Sequence, residues 1–544
     1  MRCHGMRRLV AVVAVLIAGV LVVPAEGGRP EALDQTLLQR LSQAAVIRYY
    51  FRHPDQAPAG LAARIRELEG KRRPGPGRPG GGVGRSGAIP PPFNLDGSGL
   101  PQNETSLAVC PSDPNEALGS TNDFRLLPAI DNFTGWEFSM DGGATAVNDG
   151  LTPAIDGLIS GGDSVTGVDR HCGFLVADIN GDALDFSAGS HGVGVYRSTP
   201  ARLASCPEGN HASCWPTRRM AVVNEADHLI DKPWMAVGPD GEGGEMAWIV
   251  YTDIECSSHP CDPFTSSFTF RILAVRCDVN LDGCTSPVLL SEGQTNDTFA
   301  YVVIGPDGRV YLAWAESNWP PSLPEHMRLW MRVAGPGGSR FGPLRLIAQE
   351  PKNLNYAYIH GRDFRAATQP KVAVAQVQGK PRVFVTWEGC RYRVFSDAVC
   401  EEPQIKLTRS DDLAKSWSRP RAISAADDNY FATIADDSSR GQVVVAYYTT
   451  QFDPEFHNRQ DVELVVIEAA TARVTSRRRV TATSNEPEAD PFVGGFFIGD
   501  YIQVVAHGGM AYIHYTANYV KESMAGAGPP VPQQDNFMSR VAIG

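Results

Sequence analysis

The chain has 544 residues, 43% hydrophobic and 20% charged, an ordinary globular balance with length enough for a large core. Its formal net charge of −12 argues against a nucleic-acid partner, because phosphate binding needs a Lys/Arg footprint. Gly (54) and Pro (40) are abundant, which suits many turns between short strands.

Residues 1–25 read as a secretory leader. Arg7 and Arg8 supply the positive start, Leu9 to Val23 the apolar run, and Val23-Pro24-Ala25 a small-residue cleavage site. The rival reading is an uncleaved anchor, for which the run is short. After cleavage no integral membrane segment is expected. The chain has 11 cysteines, one of which, Cys3, lies in the leader. Most of the rest fall in close pairs: Cys206/Cys214, Cys256/Cys261, Cys277/Cys284 and Cys390/Cys400, with Cys110 and Cys172 left over. Such pairing suits an oxidising, extracytoplasmic compartment. No pair has the C-x-x-C spacing of a zinc site, so no metal ligands are assigned.

Residues 26–73 carry apolar side chains at helical spacing, Leu37, Leu38, Leu41 and Ala45, then Leu61, Ile65 and Leu68. Their role is left open. Residues 74–102 are a Pro/Gly-rich linker. Gly75, Gly77 and Gly80 there spell G-x-G-x-x-G, but no strand precedes them and no helix follows, so the match is read as accidental.

From Asn103 to the end the pattern is one of short strands. An apolar strand meets a Gly-type turn and a more aromatic strand follows. Trp234–Val237, Gly238-Pro239-Asp240-Gly241 and Met246–Tyr251 form one such unit. Ala300–Ile304, Gly305-Pro306-Asp307-Gly308 and Val310–Trp314 form the next. Val372–Val377 with Val383–Trp387, Phe431–Ala435 with Val443–Tyr448, and Ile502–Ala506 with Met510–Tyr515 repeat the plan. Ser106–Cys110 with Ala117–Thr121, and Phe174–Asp178 with the turn Asn180-Gly181, fit more loosely. Seven modules result, with six as the alternative count. Regular antiparallel strands of this kind predict an all-β closed repeat, a β-propeller of four-stranded blades spanning 103–544. Chain to spare before the first module would let strands from both termini share one blade.

Two turns stand out. In Ser139-Met140-Asp141-Gly142-Gly143-Ala144-Thr145 the glycines can take positive φ and Asp141 can fold back onto backbone N–H groups. Ser410-Asp411-Asp412-Leu413-Ala414-Lys415-Ser416-Trp417 is a second copy. Through these residues the chain resembles the sialidase-like superfamily of Asp-box (bacterial neuraminidase repeat) β-propellers, over about Asn103 to Gly544. Asp231-Lys232-Pro233-Trp234 and Phe497-Ile498-Gly499-Asp500-Tyr501 are similar to segments of secreted members. Ala146 stands where the box expects Trp, and Ala414 where it expects Gly. The resemblance implies that the box joins outer strands of a blade, away from the channel. It also implies, for a sialidase, an arginine triad, a Tyr nucleophile with a Glu partner, and an Asp acid/base. The first Arg of that set belongs to an Arg-Ile-Pro motif, which is absent here. Phe270-Arg271-Ile272-Leu273 lacks the Pro.

In propellers of this type the start of each inner strand faces the channel mouth. Those positions are Glu104; Asp169, Arg170 and His171; Asp231 and Lys232; Asp297; Gln369 and Lys371; Asp428 and Tyr430; Asp500 and Tyr501. Crowded carboxylates would push one pKa up and leave another ionised, as acid/base cleavage of a glycoside requires. Asp500, Tyr501, Asp231 and Asp428 are the catalytic candidates, with Tyr501 the candidate nucleophile. The remaining ring residues are candidates for substrate binding. Residue by residue, the plainer reading is a turn cap or a core side chain. Asp178–Asp182 and Asp278–Gly283 look like calcium loops, though Gly189 and Leu289 stand where a Glu ligand is expected. Calcium is thus an option and no cofactor is required. There is no H-E-x-x-H, Walker loop or G-x-S-x-G. The expected partner is a glycan or glycoconjugate, met by a glycoside hydrolase or by a non-catalytic binding or adhesion propeller. Oligomeric state is open.

Overall fold

A computed structural model describes residues 93–94 and 101–544 apart from 126–131, 183–190, 208–210, 225–227, 258–267, 295, 318–326, 352–353, 355–356, 363, 395–398, 454–456, 491–496 and 523–529. The leader, the helical segment, most of the linker and the Cys256/Cys261 pairing lie outside the described residues. Among those described, no helix is long and apolar enough to cross a membrane.

Seven antiparallel sheets, each built on four strands, follow one another along the chain as the blades of a propeller. The first strand of each blade is innermost: Gln102–Val109, Leu158–Val168, His228–Pro239, Asp297–Ile304, Lys371–Val377, Asn429–Asp437 and Gln503–His507. These seven pack side by side around the axis, and the last closes against the first. Second strands such as Arg309–Glu316 and Gln442–Thr449 are buried on both faces by the neighbouring blades, so they read as continuous apolar runs. Trp314, in the first of these, and Trp387, in the second strand Lys380–Val394 of the fifth blade, are fully buried. Their indole N–H groups donate to Asp297 Oδ1 at 3.1 Å and Glu350 Oε2 at 3.0 Å.

Closure is shared by the termini. Phe93–Asn94 adds the outer strand to the seventh blade, pairing with Asp535–Ala542 in the register Phe93↔Met538 and Asn94↔Phe537. This two-residue strand lies inside the stretch read as linker. Three close cysteine pairs, Cys206–Cys214, Cys277–Cys284 and Cys390–Cys400, are disulfide-bonded as their spacing suggested, and the leftover Cys110 and Cys172 bond to each other.

The second blade corrects the sequence reading. Phe174–Asp182 is its second strand, and Asn180-Gly181 lies within that strand rather than forming a turn. The inner strand is Leu158–Val168, which sequence reading missed. Its run Ser160-Gly161-Gly162-Asp163-Ser164 has the composition of a loop, yet its neighbours on both sides supply the pairing partners and packing. The same correction removes the loop geometry expected of Asp178–Asp182. Asp178 is buried within the strand, where it takes bonds from Asn180 Nδ2 and Thr152 Oγ1 and burial pushes it up to about 8. At Asp278 the carboxylate accepts the N–H groups of Asn280, Asp282 and Gly283.

The two Asp turns are geometrically equivalent. Each joins the third and fourth strands of its blade, Thr134–Ser139 to Asn148–Leu151 and Val399–Ser410 to Arg421–Ala422. Asp141 Oδ1 accepts the N–H groups of Ala144 and Thr145 at 2.9 and 2.8 Å, and Asp412 Oδ1 those of Lys415 and Ser416, both at 2.9 Å. Gly142 and Gly143 have φ of 72° and 84°; Leu413 and Ala414 take 61° and 62° at the same places despite their Cβ atoms. The Ser416 hydroxyl and these N–H groups bring Asp412 down to about 2, and at Asp141 burial is outweighed by the Thr145 and Ser139 hydroxyls together with these N–H groups. Asp141→Ala and Asp412→Ala should therefore each destabilise by about 1 kcal/mol, read as a lowered thermal midpoint at neutral pH. Because the folded-state pKa is depressed, the Asp412 contribution is present above the unfolded value of about 4 and is lost as pH falls towards 2. Equal midpoints for wild type and Asp412→Ala at neutral pH would refute this.

Candidate functional site

The site is built by a repeated irregularity. In five inner strands the ladder slips by one residue near the channel mouth, and the residue at the slip takes the left-handed conformation. These residues are Glu104 (φ 58°), Asp163 (52°), Lys232 (48°), Phe299 (56°) and Phe431 (53°). Non-glycine residues avoid this region, at a cost of about 1 kcal/mol each. A bulge re-aims the side chain that carries it. In the first three blades the re-aimed side chains are ionisable, and they meet.

Asp500, 1% exposed, is their common partner. Lys232 Nζ donates to its Oδ2, and Arg365 grips it with both arms, Nε to Oδ1 at 2.9 Å and Nη2 to Oδ2. Its backbone joins in: the Asp500 N–H donates to Glu104 Oε1 at 3.1 Å, and Gln369 Nε2 donates to the Asp500 carbonyl at 2.9 Å. Gly499 makes this approach feasible, since a Cβ there would stand 2.8 Å from the Glu104 nitrogen. Asn122 Nδ2 donates to Glu104 Oε2 at 2.9 Å while its Oδ1 accepts the Asp163 N–H at 2.8 Å. Glu104 and Asp163 share a hydrogen bond between their carboxyls.

Electrostatics separates the four acids. Burial would raise Asp500, but Arg365 and Lys232 hold it well below the carboxylate range. Burial would likewise raise Asp163, but Lys232 and the Glu104 bond keep it low and ionised. Burial and the neighbouring Asp163 push Glu104 well up, so Glu104 carries the shared proton. Asp231, in the same field, is raised by burial to about 6, with Lys232 opposing. Lys232 itself is raised, because its carboxylates outweigh its burial. Asp163, Asp231 and the 34%-exposed Arg365 side chain are the members that reach the opening.

Below them, Lys371 points its ammonium at three rings, 3.9 Å from the Trp234 centroid, 4.9 Å from Tyr301 and 5.7 Å from Tyr501. Burial pulls Lys371 down to about 7, with nearby Glu388 opposing. Glu388 spans two blades by accepting the N–H groups of Gln369 at 2.9 Å and Ala432 at 2.6 Å. Tyr501 donates its hydroxyl to the Ser164 carbonyl at 3.2 Å, and burial with the surrounding carboxylates raises its pKa.

Of the residues singled out in the sequence, Glu104, Asp231, Lys232, Gln369, Lys371, Asp500 and Tyr501 come together here. Asp169, Arg170 and His171 do not. They form the turn after Leu158–Val168, at the far end of that strand, where Asp169 accepts the N–H groups of His171 and Gly173 and pairs with Arg197. Asp297 sits under Trp314, pushed up to about 8 by burial, and Asp428 lies near Arg362 and Asp427, pushed up to about 7 by burial. Asp163, Arg365 and Glu388 are members that sequence reasoning missed. Asp163 had a signal, an acid following two glycines in a strand-length gap between modules. Arg365 lies on a short strand, Arg365–Ala366, with no periodic pattern around it.

No known protein family matches the sequence, and neither does any curated protein. Solved structures are similar in fold. A Dyadobacter fermentans protein of unknown function is 10% identical with a TM-score of 0.43, over 70% of this chain and 94% of that one. A Penicillium chrysogenum alpha-L-arabinanase complexed with arabinobiose is 11% identical with a TM-score of 0.42, over 71% and 99%. The phage phi92 endosialidase is 10% identical with a TM-score of 0.43, over 83% and 69%.

Two outcomes are expected of the cluster. Asp500→Ala removes the carboxylate that Lys232 and Arg365 share and should cost about 3–5 kcal/mol, with part recovered in Asp500→Ala/Lys232→Met. Full additivity of the two changes in urea unfolding would disprove the coupling. Between pH 7 and about 10 the unfolded chain holds the Lys371 proton that the folded chain has shed, so stability rises with pH in that window. Lys371→Met should flatten the rise; an unchanged slope would contradict a titration near neutrality.

Proposed function

We propose that the protein is an exported, glycan-directed β-propeller that cleaves a glycosidic bond at the channel mouth. The observation that supports this most is the meeting of Glu104, Asp163 and Asp500 around Lys232 and Arg365 beside Asp231, a setting in which burial raises Asp231 and Lys232 holds Asp163 down. Glycoside cleavage needs an acid that holds its proton beside a carboxylate that does not. Asp231 is the proton donor in this reading and Asp163 the ionised partner, acting on the sugar directly or through water. Glu104 keeps the proton that buttresses Asp163. Asp500 has both oxygens occupied and serves to position Lys232 and Arg365. Tyr501 contributes its ring, since its hydroxyl is engaged and its raised pKa disfavours the phenolate a nucleophile needs. Arg365 and Lys232 are committed to Asp500, which favours a neutral sugar over a sialoside at this mouth. No cofactor is assigned, and calcium at the Asp278 turn is not part of the mechanism.

Release of reporter groups from a panel of neutral and sialyl glycosides tests the reading. Asp163→Asn and Asp231→Asn should each lower kcat by about 100-fold or more, whereas Tyr501→Phe should retain most of it. The wild-type rate should fall as pH rises through about 6, where Asp231 loses its proton, and Asp231→Asn should abolish that limb. Glycan binding with no turnover on any member of the panel would favour the binding or adhesion reading instead.

A further inference from the structure

The antiparallel order of each blade sends the links between strands one and two, and between strands three and four, to one end of the propeller. The bulges and the acid cluster lie towards the other end. On the face formed by those links, blades five to seven carry a run of exposed cations: Lys415, Arg419 and Arg421 in blade five, Arg440 and Arg473 in blade six, and Arg540 in blade seven. None of these six has a carboxylate partner among the described residues. Arg421 instead donates to the carbonyl of Ala472 across the blade interface, and Arg540 Nη1 to the Asp141 carbonyl at 3.4 Å. Arg440 lies over the backbone of blade seven, its Nε 3.0 Å from where a Cβ on Gly509 would stand. The cations thus run across adjoining blades rather than being scattered.

The nearby acids are engaged within their own blades: Glu468 takes the Thr471 hydroxyl, and Asp436 and Asp437 take those of Ser438 and Ser439. Asp411 pairs with Arg382 and lies 3.6 Å from Arg409, while Asp412 is bound by its own turn. On the same face blade three is acidic, with Asp240, Glu242, Asp278 and Asp282 on the corresponding turns. A chain with net charge −12 therefore segregates its charge, and holds several unpaired cations close together against their mutual repulsion. Charge complementarity is what such an arc offers. Two further arginines, Arg382 and Arg409, hold the turn of blade six in place by donating to the Ala469 and Thr471 carbonyls at 2.7 and 2.8 Å.

We propose that this arc is a docking surface for an acidic polysaccharide, one bearing sulfate or uronate groups, which tethers the protein while the channel mouth on the other face stays open. The extended, linear arrangement suits a chain of spaced anions, and Arg forks match sulfate and carboxylate oxygens. The acidic turns of blade three would bound the basic side.

The test is retention of the full-length protein on immobilised heparin, with phosphatidylcholine vesicles containing phosphatidylserine as a second probe. Wild type should be retained at low ionic strength and released by salt. The Lys415→Glu/Arg419→Glu/Arg473→Glu variant should bind about tenfold more weakly or worse, with circular dichroism and thermal midpoint unchanged. A control with the same charge change on the mouth face, at the exposed Arg391→Glu/Arg459→Glu/Lys521→Glu, should bind like wild type, as should Asp163→Asn at the channel mouth. No retention of wild type, or equal losses in both sets of charge reversals, would overturn the proposal. Binding to the anionic vesicles but not to heparin would overturn the polysaccharide assignment.

Discussion

Asp500 bound between Lys232 and Arg365 is the interaction on which the centre of this propeller depends. It comes from the segment just before the last inner strand, yet its partners belong to the third and fifth blades and its backbone N–H meets Glu104 in the first. A buried carboxylate survives only if its oxygens are satisfied, and here two cations satisfy both. The same two cations set the field felt by every other acid at the mouth. Asp163 is kept ionised by Lys232, and Glu104 is kept protonated by Asp163. The chemistry proposed for the site follows from that chain of dependence.

The left-handed bulges explain how a packed ring of strands can hold such a cluster. Regular inner strands would alternate between facing blades and put few charges on the axis. A slip at the same level in five blades turns Glu104, Asp163 and Lys232 to a common point, while Phe299 and Phe431 occupy the same place in blades that contribute apolar bulk. Strain of this kind persists where the surroundings over-determine it. Here the determining contacts are Asn122 on Glu104 and on the Asp163 N–H, and Asp500 on Lys232.

Much of the architecture was legible because propeller blades punctuate themselves. The Gly-Pro-Asp-Gly turns, the doubly buried aromatic strands around Trp314 and Trp387, and the close cysteine pairs are local signals that tertiary context leaves alone. The second inner strand was not legible. Ser160, Gly161, Gly162 and Ser164 have poor strand propensity, and pairing with Phe174–Asp182 together with packing between blades one and three overrides it. That miss displaced the reading to Asp169 and lost Asp163. Arg365 was invisible for a different reason, because only the ring closure brings residue 365 to residue 500. Asp297 shows the limit of positional logic. It occupies the start of an inner strand as expected, and there it receives a tryptophan N–H.

The two faces divide the labour suggested by the chemistry, with acids that differ in proton occupancy at the mouth and unpaired cations on the opposite turns. The central claim concerns the first of these, and iminosugar binding tests it most directly, because such cations mimic the charge that develops during glycoside cleavage. Calorimetry with a set of neutral-sugar iminosugars, run in two buffers of different ionisation enthalpy, reports affinity and proton exchange together. The account predicts binding coupled to proton exchange, with both lost in Asp163→Asn and the proton exchange altered in Asp231→Asn. Undiminished binding in both variants would contradict it.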